Sequence, residues 1–232
     1  MRNTKKSLVK PKGFKDFKRK KVVYFPVDSN SKILGKELKR KAVKDINLGY
    51  GQIFILEDKF VLYQSMGAPA AVLCLESLVA SGVKEIIMLG FCGSLNREYP
   101  IKSVVSISRA LSEEGTSRHY FPRKRYFKPS MALKNKIEKI LQSHKFAFQE
   151  GSLVSTDAPF RETKSWLKEK QRKEIGLVDM ETSAVFSLAE FRSMDSAALM
   201  IVSDAIWSGK WKKGFFDPGL DEKIKKYFLP FI

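Results

Sequence analysis

Residues 85–91 read EIIMLGF, an apolar run with no polar alternation. A strand with one face in water alternates apolar and polar residues; a continuous run marks a strand covered on both faces, the condition of a parallel sheet flanked by helices. Its neighbours follow the same logic. Residues 21–27 (KVVYFPV) and 196–203 (SAALMIVS) are further apolar runs, and 103–108 and 151–155 are shorter ones. Between them lie stretches with helical spacing. Ser29-Asn30-Ser31 offers caps for a helix over 32–44 with Ile33, Leu34 and Leu38 on one face. Gly67-Ala68-Pro69 opens a second, lined by Val72, Leu75, Leu78 and Val79 and stopped at Gly82. Others are expected over 131–144, 162–174, 181–191 and 220–228, and residues 52–56 and 60–65 read as a hairpin. Strands separated by helices predict a three-layer α/β/α sandwich around a central mixed, mainly parallel sheet. Ligands in such sheets sit at the carboxyl ends of the strands. Three of those ends carry polar residues: Phe91-Cys92-Gly93, Asp179-Met180-Glu181 and Ser203-Asp204.

Charge divides the chain differently. It has 232 residues and a formal net charge of +18. Residues 1–21 hold ten Lys/Arg against Asp16 alone, half of that excess. This predicts a basic arm, 1–21, ahead of a single α/β domain, 22–232. A Lys-rich arm can bind nucleic acid by counterion release, although most charge runs are solvated and two phenylalanines, Phe14 and Phe17, can pack on the body. The composition excludes disorder of the whole chain. No apolar run approaches the roughly 18–20 residues a spanning helix needs, so no membrane partner is expected. Cys74 and Cys92 form neither a disulfide framework nor, with His119 and His144, a zinc spacing. The expectation is a cytoplasmic protein with reduced thiols and no metal or cofactor.

The polar strand ends sit in longer stretches that carry a resemblance. Residues 65–93 (SMGAPAAVLCLESLVASGVKEIIMLGFCG) resemble the nucleoside phosphorylase superfamily, in which a small-residue loop, a helix ending in Gly, a buried strand and a Cys-Gly turn follow in that order. Residues 178–186 (VDMETSAVF) resemble its ribose-binding segment. Val202-Ser203-Asp204 matches the motif closing the late strand in its purine-cleaving branch. Residues 114–120 (EGTSRHY) and 155–163 (STDAPFRET) are similar to segments of the uridine-type enzymes. The likeness spans about 22–206.

The resemblance implies a nucleoside phosphorylase: nucleoside and phosphate as partners, free base and pentose 1-phosphate as products, and a homo-oligomer, dimeric or hexameric. Asp204 is implied as the catalytic acid beside a purine N7, which suits a positioned carboxylic acid chemically; the alternative is a capping Asp. Glu181 is implied to accept the ribose hydroxyls, with Met180 packing on the sugar; otherwise Glu181 is a first-turn acid at a helix dipole. Phe160 falls where an aromatic meets the base, with Arg161 or Glu162 reading base edges; the plain alternative for Phe160 is core. His119 is either a sugar contact or an ordinary satisfied histidine.

The phosphate site departs from the pattern. The loop after the first strand reads Val27-Asp28-Ser29-Asn30-Ser31-Lys32, without the family's Gly or Arg. A second arginine position reads Met88, and the Ser/Thr that touches phosphate reads Phe91. Substitutes for phosphate contacts are Lys32, Gly93, Ser94 and Arg40, with Lys41, Lys44 and Arg118 also nearby in sequence. A phosphate dianion taken from water needs pairing, because uncompensated buried charge costs several kcal/mol. Water is therefore the alternative nucleophile, as in the family's nucleosidases. A uridine-type phosphorylase, or a nucleic-acid-binding member without catalysis, also fits these residues.

Overall fold

The computed structural model describes residues 7–14, 17 and 19–232; Arg2, Lys5, Lys6, Lys15, Asp16 and Lys18 of the basic arm lie outside them. The elements in order are β1 (Lys21–Phe25), α1 (Ile33–Lys41), β2 (Lys44–Asn47), β3 (Gln52–Ile55), β4 (Phe60–Tyr63), α2 (Ala68–Ala80) and β5 (Glu85–Ser94). There follow β6 (Val104–Ser112), α3 (Ser117–Tyr120), β7 (Tyr126–Phe127), α4 (Met131–Ser143), β8 (Gln149–Ser155) and α5 (Lys164–Arg172). The chain closes with β9 (Leu177–Asp179), α6 (Thr182–Arg192), β10 (Asp195–Ala205), β11 (Lys212–Lys213) and α7 (Pro218–Tyr227).

The apolar runs form the centre of one mixed sheet, in the order β11-β10-β6-β8-β9-β5-β1-β4-β3-β2. β5 is parallel to both β1 and β10. β10 also pairs with β6, and β5 with β9, so the sheet curls and closes on itself instead of staying an open layer. Side chains in β1 and β5 alternate between two cores. Val22, Tyr24, Ile86 and Met88 join α2 and α6 on one face. Val23, Phe25 and Leu89 join α1, α4 and α7 on the other. Both faces are therefore apolar and covered, as the unbroken runs require. A smaller core under α5 gathers Leu95, Leu111, Val154, Leu167 and Val178.

Several boundaries differ from the sequence reading. The helix expected over 162–174 begins at Lys164, because the Thr163 side chain caps it by accepting the Trp166 N–H (3.2 Å), and Pro159–Arg161 form a separate 3-10 turn. The helix expected over 32–44 ends at Lys41, and residues 44–47 (KDIN) form the edge strand β2. That strand is polar and largely exposed, so no apolar period announces it. The strand expected to stop at 203 runs on to Ala205 through a bulge. Among the described residues no helix is long and apolar enough to cross a membrane.

Candidate active site

The carboxyl ends of β1, β5, β9 and β10 meet at a cavity of about 530 Å³. Its floor is Phe91, Cys92 and Gly93 of β5, with Pro26 and Val27 beyond β1. One wall is Val178, Asp179, Met180 and Glu181; the opposite wall is Ser203, Asp204 and Ile206. Met66, Pro159, Phe160, Glu162, Trp211 and Phe215 form the mouth.

Asp204 owes its direction to a β-bulge. Val202 pairs with Cys92 and Asp204 with Gly93, so Ser203 is an extra residue in β10. Such bulges re-aim a side chain. Gly93 lies opposite: a Cβ there would be in ordinary contact with both Asp204 carboxylate oxygens (3.5 Å) but would press on Val178 Cγ1 at 3.0 Å. The Ser203 hydroxyl donates to Asp204 Oδ1 at 2.9 Å, and the Trp211 indole N–H donates to Oδ2 at 2.8 Å.

Glu181 faces Asp204 from the far wall and is only 5% exposed. Its Oε1 accepts the Gly67 N–H at 2.6 Å. Gly67 has φ +90°, a conformation that glycine adopts without a Cβ penalty. Asp179 lies two residues earlier and starts α6: it accepts from the Ser155 hydroxyl (2.6 Å) and from the Thr182 N–H (2.9 Å). Burial pushes the Glu181 carboxyl up, and the nearby Asp179 charge adds to the effect. Burial also raises Asp179, against the hydrogen bonds from Ser155 and Thr182. Glu162 is half-buried at the mouth, and burial, then the Asp204 charge, pushes its carboxyl up to about 7.

The structure brings Asp204, Glu181, Met180, Glu162, Phe160 and Gly93 to one cavity. Phe160 is 92% exposed, so it is a rim residue and not core. Arg161, Lys32, Arg40 and Ser94 do not line the cavity. Arg40 is held on the surface of α1 by Glu37, at 2.7 Å. Lys32 precedes α1 in a left-handed conformation (φ 51°). Ser94 is buried and donates to the Asn96 carbonyl at 2.7 Å. Arg118 and His119 are exposed on α3. Met88 is buried beneath the floor, its sulfur 3.6 Å from the Thr182 hydroxyl.

Two features carry no signal in the sequence. Asp28 fills the start of α1, its carboxylate accepting from the N–H groups of Ser29 (2.7 Å), Leu34 (3.3 Å) and Gly35 (2.9 Å) and from the Tyr63 hydroxyl (2.8 Å). A helix N-terminus is a natural anion site, and here a side chain already occupies it. The second is Trp211, which lies in a lysine-rich segment, KWKK, with no motif to mark it. The resulting cavity presents four carboxylates, Glu162, Asp179, Glu181 and Asp204, and among the described residues no Lys, Arg or His lines it.

The family model described as "Phosphorylase superfamily" matches residues 39–223, most of the chain. The chain belongs to that superfamily. Among curated relatives, a guanosine phosphorylase of Halorubrum lacusprofundi is 25% identical over 72% of this chain and 70% of its own length. A DeoD-type purine nucleoside phosphorylase of Clostridium novyi is 28% identical over 72% and 73%. Among solved structures, a Toxoplasma gondii purine nucleoside phosphorylase superposes with a TM-score of 0.75 at 19% identity, over 94% of this chain and 92% of that one. A Bacteroides thetaiotaomicron AMP nucleosidase gives 0.72 at 20% identity, over 80% and 81%. The structural likeness establishes the superfamily's α/β fold for this chain, and both phosphorolytic and hydrolytic enzymes share it.

Proposed function

We propose that this superfamily member cleaves the N-glycosidic bond of a purine nucleoside, and that water is the nucleophile. The observation carrying the reading is the cavity itself. Asp204 is projected by the bulge on one wall, Glu181 is buried on the other, and among the described residues no cation lies between them.

Breaking the bond leaves negative charge on the base and positive charge on the sugar. Asp204 supplies a proton to the departing purine. Glu181, held by the Gly67 N–H, accepts the ribose hydroxyls while Met180 packs against the sugar. Phe160 and Glu162 meet the base at the mouth. Ionised carboxylate in this acidic lining stabilises an oxocarbenium-like transition state electrostatically. A phosphate dianion meets this acidic lining and finds neither a lining cation nor the α1 amides that Asp28 occupies. Water suffers neither penalty. The buried free thiols Cys74 and Cys92 fit a reducing, cytoplasmic setting.

Phosphorolysis is the second reading, favoured by the names of the curated relatives. It requires a cation from another copy of the chain. Base release from inosine, guanosine, adenosine and uridine, in a phosphate-free preparation with and without added phosphate, tests both. Free purine and ribose without phosphate are expected. Release only with phosphate, with pentose 1-phosphate formed, overturns the choice of water. Preferential cleavage of uridine overturns the choice of purine.

A further inference from the structure

Trp211 is 51% exposed, so core packing does not account for its place. Backbone pairing does: β11 runs antiparallel to β10 with Lys213 opposite Asp204, which folds the segment after the catalytic strand back over it. The turn is made at Gly209 (φ +77°). The indole ring then lies 4.5 Å from Lys213 Nζ and edge-on to Phe215, with ring centroids 6.4 Å apart. Its N–H meets Asp204 Oδ2 at 2.8 Å.

The chemistry of the two donors on Asp204 differs. An indole N–H can only donate, whereas a serine hydroxyl both donates and accepts. A proton on Oδ2 would compete with the Trp211 hydrogen for the same oxygen. Oδ1 faces Ser203, whose single hydroxyl hydrogen has two acceptors, Asp204 Oδ1 at 2.9 Å and the Cys92 carbonyl at 3.3 Å. When Oδ1 is protonated, Ser203 turns to Cys92 and Oδ1 is free to donate.

We propose that Trp211 is a positioning residue for Asp204: it keeps Oδ2 an acceptor and so makes Oδ1 the oxygen that carries the proton to the leaving base. This rests on the reading of Asp204 as the acid. As the C–N bond breaks, its electron pair stays with the base and the Oδ1 proton moves to the base nitrogen, while a water oxygen bonds to the sugar carbon and gives up one proton to solvent; Ser203 swings back to the resulting carboxylate. Asp204 is recharged from solvent after release.

The test compares two nucleosides in Trp211→Phe, which keeps the ring and removes the N–H, and in Trp211→Leu as a second variant. Inosine needs a proton for its base to leave. 7-Methylinosine carries its positive charge on the base already and does not. In both variants kcat for inosine is expected to fall at least tenfold, while kcat for 7-methylinosine stays within twofold. Equal losses on the two substrates would mean a merely structural role and overturn the proposal, as would no loss on either. If the wild-type protein cleaves 7-methylinosine and inosine at rates that Asp204→Asn leaves unchanged, the reading of Asp204 itself falls, independently of Trp211.

Discussion

At the residue scale, the site separates by the environment given to each carboxylate. Asp204→Asn keeps the shape and both hydrogen-bonding neighbours but has no proton to give; turnover of purine nucleosides is expected to fall by about 10²–10⁴, with nucleoside binding much less affected. Steady-state and binding measurements on the same preparation check this. Glu162 makes a different prediction. Its carboxyl is raised from 4.5 to about 7, so the folded protein holds that proton more tightly than the unfolded chain. Folded-state stability from this group is then lost as pH rises from about 4.5 through about 7. Glu162→Gln removes the loss. Its melting temperature should exceed that of the wild type above pH 7, with the gap closing toward pH 4.5; a gap independent of pH would refute it. That Asp204 and Glu181 line one cavity was legible in the sequence, because strand ends in such sheets face ligands; the roles proposed for them come from the resemblance. Asp28 was not, since nothing in Val27-Asp28-Ser29 says that its carboxylate folds onto the amides of α1. Trp211 was hidden for a related reason: its partner is chosen by the β10–β11 register, and a two-residue strand of lysines has no readable period.

At the element scale, what positions the cavity mouth is α5 and the 3-10 turn before it. α5 is fixed by a buried ion pair. Lys170 is fully buried, pairs with Glu113 and with Glu169 (3.0 Å), and lies 5.3 Å from the Trp166 ring centroid. Trp166 in turn donates its indole N–H to Glu113 at 2.7 Å. Removing one partner of a buried pair leaves the other uncompensated, at about 3–5 kcal/mol. Glu113 and Glu169 keep some solvent exposure, so Lys170→Ala is expected to cost about 3 kcal/mol, the lower end of that range. Lys170→Met, which restores volume, should cost less than Ala. Urea unfolding of the three proteins decides it; equal stability of wild type and Ala would show that the pair contributes nothing. The main strands and helices were predictable from apolar runs with covered faces. The exceptions share a cause: β2, β7 and β11 are short edge pieces, and the helix start at Lys164 depends on the Thr163 cap rather than on hydrophobic spacing.

At the scale of the whole molecule, charge and packing divide the chain at different places. The proposed basic arm, 1–21, is defined by lysines, yet part of it is packed. Phe14 donates its N–H to the Ser81 hydroxyl at 2.7 Å and tilts its ring against Phe60 at 6.2 Å. Gly13 lies so close to the end of α2 that a Cβ would meet the Ala80 carbonyl at 2.6 Å. Phe17 is half-buried against the same core, under Lys44 at 5.5 Å. These contacts lie at the amino end of β1, and the cavity lies at its carboxyl end. Gly13, Phe14 and Phe17 are therefore anchored on the side away from the site. Deleting residues 1–12 should leave the melting temperature within a degree or two of the full chain. Deleting 1–18 removes two partly buried phenylalanines, worth about 1–2 kcal/mol each at partial burial, and should lower it by roughly 4–16 °C. Base release by the shorter deletion should match that of the full chain. If the first deletion alone destabilises the protein or abolishes turnover, residues before Gly13 make contacts with the body that matter, and the arm is not a separable charge-bearing extension.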